Sequence, residues 1–160
     1  MATFKNRHGA YVKRGGAQAL EASQPQWDAL VETMVIATCI DGILSPGESE
    51  ALAALILDTP GFETLDNKAL ARVVERVASN IANDGLDARV KTIAKALTGN
   101  EKLREEAFML ATLFVHWDGE VGEEEQEYLN SLQDALSISD ERASHIDSVL
   151  TEWSAQTNAS

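Results

Sequence analysis

The spacing of apolar residues predicts helices along most of this 160-residue chain. No segment shows sustained alternation of apolar and polar residues, so we expect no β-sheet. A Ser, a Pro and a Gln at the N-cap and first-turn positions of Ser23-Gln-Pro-Gln26 predict a first helix from about Gln24 to Ile40. A similar signal at Ser45-Pro-Gly-Glu48 predicts a second helix that ends near Leu57.

Five further helices follow from the same capping and periodicity signals. The third is expected from Asp66 through Ile81 and is ended by 83–85, and the fourth runs from Asp87 to Leu97. The others are expected around the apolar run 108–117, directly after 118–125 with 128–136 included, and from the Ser139 cap to Trp153. The run 108–117 is apolar at almost every position, so its helix should be buried on most sides. We expect a basic mobile arm at 1–22, one helical domain at 23–154 and a polar tail at 155–160.

A short sequence occurs twice, each time after an apolar helix. Asp41-Gly-Ile-Leu-Ser-Pro-Gly-Glu48 aligns with Asp118-Gly-Glu-Val-Gly-Glu-Glu-Glu125 when the chain is shifted against itself to place Asp41 over Asp118. Each copy joins an apolar helix to an acidic one. The sequence therefore predicts an all-α fold, a compact bundle of about seven helices with an internal two-fold repeat of helix–DG turn–helix units.

Most of the repeated motif is typical of a turn between two helices. Gly42 and Gly119 suit the left-handed residue that ends a helix. Glu48 can cap the helix that follows it, and the glutamates at 123–125 favour the positive end of the helix dipole in the second copy. Asp41 and Asp118 do not fit this interpretation as well, because a carboxylate in the last turn of a helix opposes the helix dipole. Backbone N–H groups or a bound cation would compensate that charge.

The same motif also resembles the second half of a calcium-binding loop. Asp41, Gly42 and Glu48 have the spacing of an EF-hand loop, and the second copy has it too, but Ala37 and Cys39 stand where the first oxygen ligands should be. A full EF-hand is therefore excluded. A weak, water-rich site, or one site shared by both turns, stays open, and its ligands would be Asp41, Glu48, Asp118 and Glu125.

Charge and composition limit the possible partners. The formal net charge is −13, which disfavours nucleic acid. The arm carries +3, from Lys5, Arg7, Lys13 and Arg14 against Glu21. The single cysteine fits a reducing compartment, and we expect neither a membrane span nor a secretory signal. Without a nucleophile elbow, a phosphate loop or a zinc cluster, the sequence predicts no enzyme.

With its two DG turns in an acidic, all-helical chain, the sequence resembles the TerB-like tellurite-resistance family over about residues 24–153. That resemblance implies a non-enzymatic cytoplasmic protein of tellurite or stress resistance. It also implies an acidic site for a divalent metal such as calcium, magnesium or zinc, to which Asp41, Glu48, Asp118 and Glu125 correspond. The family's partners are other resistance proteins, some membrane-associated, which would bring the protein to the inner membrane.

A metal-free interaction module is the alternative that the sequence leaves open. In that case the acidic surface would bind a basic partner or the chain's own basic arm. The sequence does not specify which metal binds, whether the two turns form one site or two, or which partner and which stress are involved. It does not specify the oligomeric state either.

Overall fold

The computed structural model describes residues 22–40, 46–57, 67–115 and 122–158. Within these ranges the chain forms seven α-helices and no strand, which confirms the all-α fold. The helices are α1 (Gln24–Cys39), α2 (Pro46–Leu57), α3 (Asn67–Asp84), α4 (Leu86–Ala96), α5 (Glu101–Phe114), α6 (Glu123–Ala135) and α7 (Asp140–Asn158). The predicted mobile arm lies almost wholly outside the described residues.

The starts of α1 and α7 agree with the capping signals of the sequence, and Asn100 caps α5 although no cap was predicted there. The backbone N–H of Ser23 donates to Oε1 of Gln26 across 2.8 Å at the start of α1. Asn100 caps α5 by accepting from the N–H of Leu103, and Ser139 caps α7 by accepting from the N–H of Arg142. Each side chain satisfies a backbone group that the first turn of a helix leaves without an internal partner.

Two helix ends differ from the expected positions. α5 ends at Phe114 with Val115 as its C-cap, although the apolar run continues to residue 117. α7 continues to Asn158, beyond the expected end of the domain at residue 154. The segment 154–158 contains neither Gly nor Pro, so no residue in it stops the helix.

α1 and α5 form the centre of the bundle. They pack against each other more extensively than any other pair of helices, and both are buried on nearly every side over their C-terminal halves. The predicted burial of the α5 run is confirmed for its described part. α3 and α4 pack on α1, whereas α6 and α7 pack on α5. The apolar side chains of all seven helices contribute to a single core.

Helix starts in the two halves of the chain follow a common spacing. α5 begins at Glu101 and α1 at Gln24, and α6 begins at Glu123 and α2 at Pro46. The number of residues between the two starts is the same in both pairs. The two DG sequences are separated by this same interval. Each DG sequence therefore lies between two helices that begin at corresponding positions.

Candidate functional site

The four carboxylates expected to bind a metal are described unequally. Asp41 and Asp118 lie outside the described residues, as do the turn glycines Gly42 and Gly119. Glu48 belongs to the first turn of α2, but its side chain is also outside the described part. Only the carboxylate of Glu125 has a described environment. The predicted convergence of the four groups therefore stays a prediction.

Glu125 is buried at the start of α6, with only 3% of its surface exposed. Its Oε2 atom accepts a hydrogen bond from the backbone N–H of Gly122 across 2.6 Å. This contact is the carboxylate half of a capping box. Gly122 has no hydroxyl to form the other half, so Glu125 provides the capping contact at this helix start. The glutamates at 123–125 were expected at the positive end of this helix, and the structure confirms that position for Glu125.

The environment of Glu125 is compatible with a cation but does not require one. A carboxylate has two oxygens and about four lone pairs, so it can accept a capping hydrogen bond together with other contacts. Hard cations such as calcium and magnesium prefer such oxygen donors. Among the residues that the structure describes, no group of three or more His, Cys, Asp or Glu side chains is arranged to hold a metal.

A second buried carboxylate, Glu32, makes an ion pair that was not predicted from the sequence. Glu32 lies in the buried part of α1 and is 8% exposed. Arg89 of α4 donates to both of its oxygens, from Nε to Oε2 and from Nη2 to Oε1, each across 2.8 Å. Hydrogen bonding to Glu32 raises the pKa of Arg89, against the lowering effect of burial, so the guanidinium stays charged.

One sequence signal could have indicated this pair. Glu32 and Thr33 interrupt an otherwise apolar stretch of α1 from Ala29 to Ala37, and a charge at such a position needs a partner. Its partner is 57 residues away and could not be identified from local spacing. The pair joins α4 to α1 and positions one wall of a surface groove.

That groove lies between α1, α3 and α4 and has a volume of about 340 Å³. Its floor includes the buried side chains of Ala29, Val77 and Ile93, and polar groups line its edge. Arg89 is already bound to Glu32, so its charge is compensated within the protein. We refer to this cavity as the α1/α3 groove.

A second groove, of about 320 Å³, lies between α5 and α7. Ile146 is buried at its floor, while Met109 and Val149 are half-buried. At its edge Arg142 donates to Glu105 across 2.6 Å, and this bond raises the pKa of Arg142. We refer to this cavity as the α5/α7 groove.

Charge is distributed very unevenly between the helices. α6 and α7 together carry nine acidic residues and one basic residue, a balance of −8. α3 and α4 together carry six basic and three acidic residues, a balance of +3. The acidic character of the chain is therefore concentrated in its C-terminal helices, and the α3–α4 side is weakly basic.

Comparisons of the chain with models of known families, with curated proteins and with solved structures find no significant match. None of the helices in the described part is long and apolar enough to cross a membrane.

Proposed function

We propose that this chain is a non-enzymatic, TerB-like protein of tellurite or stress resistance that binds a divalent cation at its two DG turns. The ligands would be Asp41, Glu48, Asp118 and Glu125, and the protein would act in the cytoplasm with other resistance proteins. The observation that carries the proposal is the buried carboxylate of Glu125, held at the start of α6 directly after the second turn.

The arrangement of the helices supports a related role for both turns. α1 and α5 are the most extensively packed pair, and each leads directly into a DG sequence. The starts of the helices that follow, α2 and α6, are separated by the same number of residues as the two DG sequences. We propose that the two halves are an internal repeat and that their turns contribute to one acidic site.

Oxygen donors alone make calcium or magnesium better candidates than zinc. Carboxylate oxygens are the usual ligands of these hard cations, whereas zinc prefers nitrogen and sulfur as well. Four carboxylates supply fewer oxygens than the six to eight or so that calcium takes, unless some bind through two oxygens or water completes the shell. A weak site that responds to millimolar cation is therefore expected.

Thermal melting tests this proposal. A cation that binds only the folded state raises the melting temperature as its concentration rises. We expect calcium or magnesium at millimolar concentration to raise it, after the protein has been treated with a chelator. If calcium, magnesium and zinc all leave the melting temperature unchanged, the metal proposal is wrong.

The charge distribution favours a second candidate, a metal-free interaction module. The balance of −8 on α6 and α7 is suited to binding a basic partner. Binding of this kind weakens steeply with ionic strength and does not require a divalent cation. A basic peptide that binds equally well in chelator and in calcium would support this candidate over the first.

A further inference from the structure

The two grooves are lined by corresponding positions of the two halves of the chain. α1 contributes positions 25, 28, 29 and 32 to the first groove, and α5 contributes positions 102, 105, 106 and 109 to the second. Each α5 position follows its α1 counterpart by the number of residues that separates the two DG sequences. α3 contributes positions 73, 76, 77 and 80, and α7 contributes positions 142, 145, 146 and 149, again with one constant offset. The same faces of corresponding helices therefore form both pairs of walls.

The grooves differ in what lies beside those walls. α4 packs on both α1 and α3 and forms a third wall of the α1/α3 groove. Its Ile93 is buried there, and its Arg89 binds Glu32. Among the residues that the structure describes, only those of α5 and α7 line the α5/α7 groove, and none of the described helices takes the place beside them that α4 has in the other half.

Without such a third wall, apolar side chains on the floor of the α5/α7 groove stay partly exposed. Met109 occupies the position that corresponds to Glu32, and Val149 the position that corresponds to Asn80. Both Met109 and Val149 are half-buried apolar side chains. A helix or extended segment placed as α4 is in the other half would remove more of this apolar surface from water.

We propose that residues 1–21 dock in the α5/α7 groove as the counterpart of α4. This segment precedes α1 and contains large apolar residues, Phe4, Tyr11, Val12 and Leu20, that suit an apolar floor. Fully extended, 21 residues span about 70 Å, whereas α1 with 16 residues is about 24 Å long. The segment is therefore long enough to reach a groove on any side of the bundle.

Charge selects the α5/α7 groove over its counterpart. The segment carries +3, and the two helices that line this groove, α5 and α7, together carry −4, from seven acidic and three basic residues. The three helices that line the other groove, α1, α3 and α4, together carry +1, because the two acidic residues of α1 offset part of the +3 of α3 and α4. A basic segment is therefore attracted to the α5/α7 groove and not to its counterpart. The proposal identifies an interaction surface and does not depend on metal binding at the DG turns.

Carbodiimide cross-linking of the full-length chain tests the proposal. This reagent joins a lysine amine to a carboxylate only when the two are in ion-pair contact. We expect links within one chain from Lys5 or Lys13 to Glu105 or Glu106, the carboxylates that line the groove, identified by mass spectrometry of the digested protein. A mixture of light and heavy isotope-labelled protein distinguishes links within a chain from links between chains.

Three results of this experiment would overturn the proposal. They are the absence of links from Lys5 and Lys13, links mainly to the α6 carboxylates, and links found only between chains. The last result would assign the groove to a second copy of the chain. None of them bears on the cation-dependent melting that tests the proposed function.

Variants of α7 provide a matched comparison. Val149→Lys places a charge in the groove floor and should lower the yield of the α5 links several-fold. Asp147→Lys changes the charge of the same helix by more, but Asp147 lines a different groove on the other side of α7. The yield of the α5 links in this variant should therefore stay at the wild-type level. Val149→Asn introduces the residue type found at the corresponding position 80 and should lower the yield without a change of charge. An equal yield in all three folded variants would contradict the proposal.

Discussion

The hydroxyl of Tyr128 on α6 donates a hydrogen bond to the backbone carbonyl of Thr33 on α1 across 3.0 Å. The two residues are 95 positions apart in the chain, and both are fully buried. The carbonyl belongs to the interior of a helix, so it accepts this bond in addition to its helical one. The contact joins the acidic helix of the second half to the central helix of the first.

Removal of this hydroxyl should weaken the junction between the two halves. Tyr128→Phe keeps the ring in the core and should lower the free energy of unfolding by about 1 kcal/mol. Tyr128→Ala also leaves a cavity and should cost about 3–5 kcal/mol. Urea denaturation measures both values. An unchanged midpoint for Tyr128→Phe would show that the bond contributes nothing to stability.

The ion pair of Glu32 and Arg89 should stabilise the packing of α4 on α1. A double-mutant cycle with Glu32→Ala and Arg89→Ala should give a coupling free energy of about 1–2 kcal/mol, because both bonds are charge-assisted and the pair is largely shielded from water. The measurement is urea denaturation of the two single variants, the double variant and the wild type.

The pair of Arg142 and Glu105 is the matched control for that cycle. Its single hydrogen bond is shorter, at 2.6 Å against 2.8 Å, but half of the Arg142 side chain is exposed. Its coupling should therefore be smaller than that of Glu32 and Arg89 and should fall further in high salt. Equal coupling in the two pairs would show that burial does not strengthen the contact of Glu32 with Arg89.

Glu125 should stabilise the start of α6 even without a cation. In the presence of a chelator, Glu125→Ala should lower the free energy of unfolding by about 1 kcal/mol, since the N–H of Gly122 loses its acceptor. Glu127→Ala is the control, because Glu127 is exposed on the same helix. If the two variants lose the same stability, the capping contact has no measurable effect.

Ser137 has a backbone conformation that favours glycine. It follows the C-cap of α6 with a φ of 57°, in the left-handed region. Ser137→Gly should therefore raise the free energy of unfolding by about 0.5 kcal/mol, after the greater freedom of glycine in the unfolded chain is allowed for. Gly99→Ala, at a φ of 83°, should have the opposite effect. Thermal melting measures both changes. A lower melting temperature for Ser137→Gly, or a higher one for Gly99→Ala, would contradict the prediction.

Local signals in the sequence were sufficient to predict the helices. Ser23 and Ser139 mark helix starts, and the apolar spacing predicted each of the seven helices in the described part. The cap formed by Asn100 was missed, because Thr98-Gly-Asn100 was interpreted only as the end of the preceding helix. The end of α7 could not be predicted as well, because the polar segment after Trp153 lacks both an apolar pattern and a residue that stops a helix. The last turn of a helix is held by few interactions, so packing or solvent can move its end by one or two residues.

Contacts between distant residues were beyond what local patterns can predict. Arg89 binds Glu32 from 57 positions away, and nothing in the spacing of either helix specifies the other residue. The capping role of Glu125 was predictable because it involves a backbone group three residues away. Cation binding by Asp41 and Asp118 stays a prediction, since both lie outside the described residues.

Calcium titration of wild-type protein and of the Asp41→Asn/Asp118→Asn double variant tests the proposed function most directly. Isothermal titration calorimetry should show a binding isotherm for the wild type and none for this variant. At a calcium concentration about tenfold above the dissociation constant, binding contributes about 1.4 kcal/mol, which raises the melting temperature of a domain of this size by about 3–6 °C.

A control variant separates loss of ligands from loss of negative charge. Glu127→Gln/Asp134→Asn removes the same number of charges from exposed positions on α6 and should bind calcium as the wild type does. The proposal predicts binding and a raised melting temperature for the wild type and the control, and neither for Asp41→Asn/Asp118→Asn. Equal calcium binding by all three proteins, or no binding of either calcium or magnesium by the wild type, would contradict a cation site at the DG turns.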